Sequence, residues 1–170
     1  MLLVGDAAHA IVPFHGQGLN CGFEDCVQLA RQLGPASAFD GDFSAVASAF
    51  ERQRRPNTDA IATMAIENYE DMRARVLAPD FAARRTLDAA LERRFPGRYV
   101  PRYAMVMFHP EIPYADALRR GAMQESLIDA LLAQCAAGTP GRNAADIPEA
   151  ELLALAASDE AARLLTEAGL

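Results

Sequence analysis

The residues best suited to chemistry lie in the opening stretch, MLLVGDAAHAIVPFHGQGLNCGFED. Gly5-Asp6 end a short apolar run, Leu2 to Val4, that reads as a strand. An acidic residue at the carboxyl end of a strand is placed to accept a hydrogen bond from a sugar or ribityl hydroxyl. Gly16-Gln17-Gly18 then lead into a helix beginning near Gly18-Leu19-Asn20. The first amides of a helix lack intrahelical acceptors and sit at the positive end of its dipole, so they suit a pyrophosphate or an electron-rich carbonyl oxygen. Gly16 and Gly18 allow that backbone to approach a ligand with no Cβ in the way.

The elements that must position these residues follow from periodicity. Phe23 to Leu33 carries Cys26, Leu29, Ala30 and Leu33 at helical spacing and stops at Gly34-Pro35, with a loop over 36–42. A second helix, Phe43 to Arg55, aligns Val46, Ala49, Phe50 and Gln53; Pro56 is expected to break or kink it. Asn57 or Thr58 then caps a third helix to about Val76, with Ile61, Met64, Ala65, Met72 and Val76 apolar and Glu67, Glu70, Asp71, Arg73 and Arg75 wet. Asn68 lies four residues from both Met64 and Met72, so its amide projects along the apolar stripe. A buried amide needs partners, and neighbouring backbone or a ligand would each serve.

Pro79-Asp80 starts a further helix with Leu87, Leu91 and Phe95 inward. The stretch 99–108 is β-prone, apolar and marked by Pro101, and is expected to be extended. Tyr114 to about Ala136 reads as a helix bearing Ala117, Leu118, Met123, Leu127, Leu131 and Leu132. A linker covers 138–148, and an acidic helix from Glu149 to about Ala168 carries Leu152, Leu155, Leu164 and Leu165. The expected divisions are 1–35 around the opening motif, 36–136 as a helical region, and 137–170 as linker and tail.

Composition narrows the function classes. At 170 residues with 51% hydrophobic content the chain can bury a core. All 16 basic residues are Arg, and the net charge of −7 disfavours nucleic acid, which needs a basic face. The basic cluster Arg84, Arg85, Arg93, Arg94, Arg98 and Arg102 reads as a solvated helix face paired with Asp88 and Glu92. Cys21, Cys26 and Cys135 make neither C-x-x-C nor an even set, and read as buried thiols in a reducing compartment. His9, His15 and His109 have no metal-ligand spacing relative to them, so no metal is expected. No signal peptide and no membrane-length apolar run occurs, which points to a cytoplasmic location.

The opening segment resembles the second FAD-binding motif of the class A flavoprotein aromatic hydroxylases, GDAAH followed by P-x-x-GQG-x-N-x-G-x-x-D. Gly5, Asp6, Ala7, Ala8, His9, Pro13, Gly16, Gln17, Gly18, Asn20, Gly22 and Asp25 carry the match. Arg55-Pro56-Asn57, Glu67-Asn68-Tyr69 and the run Tyr103 to Tyr114 extend it, and together these segments resemble the kynurenine 3-monooxygenase family over roughly Leu2 to Leu132.

The resemblance implies a mostly α chain forming the carboxyl-terminal part of an α/β FAD-dependent hydroxylase fold. It implies FAD and NADPH as cofactors and L-kynurenine as substrate, hydroxylated to 3-hydroxykynurenine with O₂. Gly5, Asp6, Pro13, Gly16, Gln17, Gly18, Leu19 and Asn20 would hold the cofactor. Asn68, Tyr103, Phe14, His15 and Met72 would line the substrate side, and no side chain is assigned a catalytic role. The G-x-G-x-x-G unit that grips the ADP half of such cofactors does not occur in these 170 residues. The isolated chain is therefore expected to be a carboxyl-terminal fragment, inactive alone, and its polar tail fits a soluble bacterial form. A related flavin hydroxylase acting on another phenol or aniline, and a non-catalytic helical remnant serving as an interaction module, remain alternatives.

Overall fold

The computed structural model describes residues 1–35, 41–137 and 142–170. Most of the expected loop at 36–42 and the first residues of the expected linker lie outside them. Seven α-helices account for most of the described chain: α1 (Gly18–Leu33), α2 (Phe43–Ala74), α3 (Phe81–Arg94), α4 (Arg102–Phe108), α5 (Tyr114–Ala137), α6 (Glu149–Ala156) and α7 (Asp159–Glu167). Short 3-10 turns occupy Gly5–Ala7, Pro13–His15, Arg75–Leu77 and Ala144–Asp146. The chain divides into two units, Met1–Met72 with Pro113–Ala115, and Arg73–Ile112 with Asp116–Leu170.

No strand forms among the described residues, which corrects two expectations. Leu2 to Val4 is not in a sheet; Val4 is extended (φ −141°, ψ 159°), but a strand also requires a hydrogen-bonded neighbour. The stretch 99–108 is helical from Arg102 to Phe108, with Pro101 (φ −53°, ψ 143°) at its start. Proline is disfavoured in a helix interior but suits a helix beginning, where the missing N–H would have had no partner. Met105 and Val106 are the buried residues of this short helix.

Pro56 does not end its helix either: α2 runs through it for 32 residues. Asn57 and Thr58 therefore do not cap a new helix. They turn back on the old one, Asn57 Nδ2 to Gln53 O (3.4 Å) and Thr58 Oγ1 to Arg55 O (3.1 Å), giving donors to carbonyls around the proline. Asn57 Oδ1 accepts the Ala115 amide at 3.1 Å. Ile61, Met64 and Ala65 are buried as the stripe predicts, whereas Met72 and Val76 are half exposed.

On α1 the buried residues are Cys21 and Asp25, one turn apart, while Cys26 and Ala30 point outward. A stripe drawn through apolar residues cannot include Asp25; of the expected stripe, Leu29 and Leu33, one and two turns on from Asp25, are partly buried. The expectation of buried thiols holds for Cys21 only: Cys26 is exposed and Cys135 partly so.

The second unit packs Leu87 and Leu91 of α3, Leu127 and Leu131 of α5, Leu152 of α6 and Leu165 of α7 into one core with Tyr99. The acidic tail is two helices, not one. Ser158 separates them, its hydroxyl accepting the Ala161 amide at 3.2 Å as an N-cap. Asp88 pairs with Tyr99, whose hydroxyl donates to it at 2.6 Å, and burial raises both groups above their ordinary pKa. Arg84 of the basic cluster meets Asp80, Glu125 and Asp129, and Arg98 donates to Thr166 Oγ1 and the Leu170 carbonyl.

Candidate cofactor cleft

The first unit assembles a cleft at the amino-terminal end of α1. Gly16 is left-handed (φ +68°), which turns the chain from the Pro13–His15 turn into the helix. The amides of Gly18, Leu19 and Asn20 precede the first backbone bond of the helix, Cys21 N–H to Gln17 O at 2.9 Å. Gln17 is buried, and its side-chain oxygen accepts from Asn20 Nδ2 (2.9 Å) and from the Tyr114 hydroxyl (3.3 Å). Gln17 and Asn20 thus brace the helix start through their side chains.

In front of that start lies a cleft of about 510 Å³, lined by Asp6, Ile11, Pro13, Gly16, Gly18, Leu19, Gly22 and Phe23. Five of the residues expected to hold a cofactor, Asp6, Pro13, Gly16, Gly18 and Leu19, line it; Gly5, Gln17 and Asn20 do not. A Cβ added at Gly16 or Gly18 would meet nothing within 4 Å, so both positions face open space where a ligand can approach the backbone. The volume falls in the range of small-molecule sites.

Behind the cleft is a buried ionic cluster. Asp25 Oδ2 accepts the Gly5 amide (2.8 Å) and His9 Nε2 (2.6 Å), and Asp25 Oδ1 accepts Arg54 Nε (2.8 Å). Arg54 also donates to Glu24 Oε2 (2.9 Å) and to the Cys21 carbonyl (3.2 Å). Burial opposes ionisation of Asp25, but its bonds from Gly5, His9 and Arg54 outweigh that and hold its carboxyl below the usual range.

One ligand atom each of His9, Cys21 and Asp25 lies within 4.8 Å of the other two, a convergence that linear spacing did not reveal. The Arg54 guanidinium supplies the positive charge at that point, and burial pushes the Cys21 thiol up to about 11, so it is protonated at neutral pH. Alkylation should follow this division. A maleimide is expected to modify exposed Cys26 in the folded chain and Cys21 only after unfolding, as read by peptide mass mapping. Rapid labelling of Cys21 at pH 7 would contradict the packing described.

The residues expected on the substrate side meet partly in this unit. Asn68 Nδ2 donates to the Phe14 carbonyl at 2.6 Å, and the Phe14 and Tyr69 rings lie 4.4 Å apart between centroids. Phe14, Asn68 and Tyr69 are thus one group, with His15 buried in the same turn as Phe14. Tyr103 is half exposed on α4, in the second unit.

Residues 1–65 match a family model described as an FAD binding domain. A kynurenine 3-monooxygenase of Stenotrophomonas maltophilia (strain K279a) is 54% identical over 127 residues, 75% of this chain and 27% of that protein. One from Xanthomonas euvesicatoria pv. vesicatoria (strain 85-10) is 51% identical with the same coverage. One from Myxococcus xanthus (strain DK1622) is 46% identical over 130 residues, 76% of this chain and 27% of that protein.

The chain is homologous to the kynurenine 3-monooxygenases. It spans about a quarter of the length of these curated relatives, 27% in each case. The FAD binding domain match contains the whole cleft lining and the Asp25–Arg54 cluster. Beyond the residues expected to bind a ligand, the geometry adds Asp25, Arg54, Tyr69 and Tyr114 to those that shape the first unit around the cleft. Asp25 sat in the motif but offered no ligand role. Arg54 gave no signal, because nothing in sequence pairs it with a residue 29 positions away.

Among the described residues no helix is long and apolar enough to cross a membrane.

Proposed function

We propose that this chain provides the ribityl and ring side of an FAD site in a monooxygenase that hydroxylates L-kynurenine, with NADPH as reductant and O₂ as co-substrate. The observation that carries the reading is the cleft itself. An exposed carboxylate, Asp6, and the open amides at the start of α1 line one cavity within the stretch matched by the FAD binding domain.

The residues fit the cofactor. Asp6 can accept a hydrogen bond from a ribityl hydroxyl, and the first amides of α1 can donate to a ring carbonyl with the helix dipole behind them. Bound there, FAD would supply the reductive activation of O₂ and the transfer of one oxygen atom to an aromatic ring. The protein's share is to bind, orient and exclude water. Gly16 and Gly18 admit the ring close to backbone, and the Gln17, Asn20 and Tyr114 bonds keep the helix start rigid while it does so. Phe14, His15, Asn68, Met72 and Tyr103 are assigned to the substrate. The Asn68 amide nitrogen is engaged by Phe14, so its Oδ1 is the atom that would meet a substrate donor.

Because these 170 residues contain no G-x-G-x-x-G unit for the ADP half, the chain alone is expected not to retain FAD. The function is therefore testable in a completed protein, the chain joined to the part of the Stenotrophomonas maltophilia relative that it does not match. Kynurenine should stimulate its NADPH oxidation and yield 3-hydroxykynurenine. NADPH oxidation that responds to another phenol or aniline and not to kynurenine would reassign the substrate.

Asn68→Ala and Tyr103→Phe separate substrate from cofactor roles. Asn68 is only partly buried and Tyr103 half exposed, so each polar contact is worth about 0.5–1.5 kcal/mol, or roughly 2- to 10-fold in kynurenine affinity. FAD content should remain at the parent level in both variants. Unchanged kynurenine affinity in both would remove these residues from the substrate site.

A further inference from the structure

Asp25 collects three donors on one carboxylate, two from a single turn and one from α2. The Gly5 amide and His9 Nε2 converge on Oδ2 at 2.8 and 2.6 Å, and Arg54 Nε reaches Oδ1 at 2.8 Å. A carboxylate can only accept, so His9 carries its proton on Nε2. Gly5 and His9 bracket the turn that holds Asp6, and His9 N–H closes that turn on the Gly5 carbonyl at 3.0 Å. Gly5 is left-handed (φ +59°), and a Cβ built on it would stand 4.0 Å from the Gly22 Cα of α1, so the turn rests directly against the helix. Arg54 fixes the other carboxylate oxygen from α2, and only 1% of the Asp25 side chain is exposed. Asp6, by contrast, is exposed and lines the cleft.

We propose that Asp25 is a positioning residue for the cofactor: through Gly5 and His9 it sets the turn from which Asp6 addresses the ligand. This rests on the flavin reading of the cleft. Asp25 itself does not face the cleft; it acts on the ligand only through the orientation of Asp6. A bond to the Gly5 amide and one to the imidazole of His9, whose backbone N–H closes the turn, leave the turn little freedom to rotate. Loss of the carboxylate's charge weakens both bonds and gives Arg54 a neutral partner.

The test has two arms. In the 170-residue chain, Asp25→Asn should speed hydrogen exchange of the Gly5 amide by about tenfold or more, since its acceptor is weakened. In the completed protein, FAD affinity is measured for the parent, Asp25→Asn, Asp6→Ala and the double variant. Asp25→Asn should weaken FAD by about tenfold, and the double variant should bind within about twofold of Asp6→Ala alone, because positioning has no consequence once Asp6 is gone. A purely structural contribution would add to the Asp6 loss, and additivity overturns the proposal. His9→Ala, which removes one donor but keeps the Arg54–Asp25 pair, supplies the same cycle if Asp25→Asn does not fold. A parent protein that binds FAD while both Asp25→Asn and His9→Ala retain its affinity overturns the positioning role alone. A parent that binds no FAD overturns the flavin reading and the proposal together.

Discussion

Replacing Arg54 with Met is expected to destabilise the first unit by about 3–5 kcal/mol, the cost of leaving a buried carboxylate without its charge partner. Arg54 is 6% exposed and Asp25 1%, so water cannot replace the missing guanidinium. The same change would also strip the Cys21 carbonyl and Glu24 of donors. Urea unfolding of the chain, followed by a probe in the first unit, reads the effect as a lowered midpoint. Arg163→Met is the internal comparison. Its partners Glu160 and Glu167 are solvent-facing residues of α7, and its effect should be lost in experimental scatter.

The pH dependence follows with a definite sign. The Asp25 carboxyl is held below its ordinary value in the folded chain. Its contribution is therefore fully present above the unfolded value, roughly pH 4, and is lost as pH falls through the folded one. Asp25→Asn should reduce stability at neutral pH and flatten its decline on acidification. An acid limb identical to that of the parent would show that Asp25 is not the group responsible.

The second large effect concerns the cofactor. Asp6→Ala in the completed protein removes a charged acceptor, worth about 1.5–3 kcal/mol in a charge-assisted bond, so FAD affinity should fall by about one to two decades. Asp6 is exposed in the cleft and makes no part of the ionic cluster behind it. Folding stability should consequently change little, which separates this variant from Arg54→Met. Titration showing parent-like FAD affinity would mean that the turn does not address the ribityl chain.

Local patterns carried much of this arrangement. The start of α1 at Gly18, its stop at Gly34 and the inward faces of α3 and α5 were legible because each depends on neighbours within a turn or two. Pro56 and Pro101 were misleading in opposite ways. A proline constrains the residues before it, but whether a helix passes through or begins depends on donors such as Asn57 and on burial of residues such as Met105. The cleft lining was largely legible because its residues belong to one short motif. The cluster behind it was not, since Asp25 and Arg54 come from different helices and a buried charge pair leaves no periodic trace. Ser158 was legible in principle, as a capping residue immediately before an acidic first turn, but the apolar residues on either side read as one continuous helix.

The flavin reading is tested most directly by the visible spectrum of the purified protein after incubation with FAD and removal of excess. The completed protein should carry a flavin absorption band at near-stoichiometric occupancy, and the 170-residue chain should carry none. A completed protein that is folded, as judged by cooperative unfolding, yet retains no flavin would contradict the assignment of this cleft to FAD.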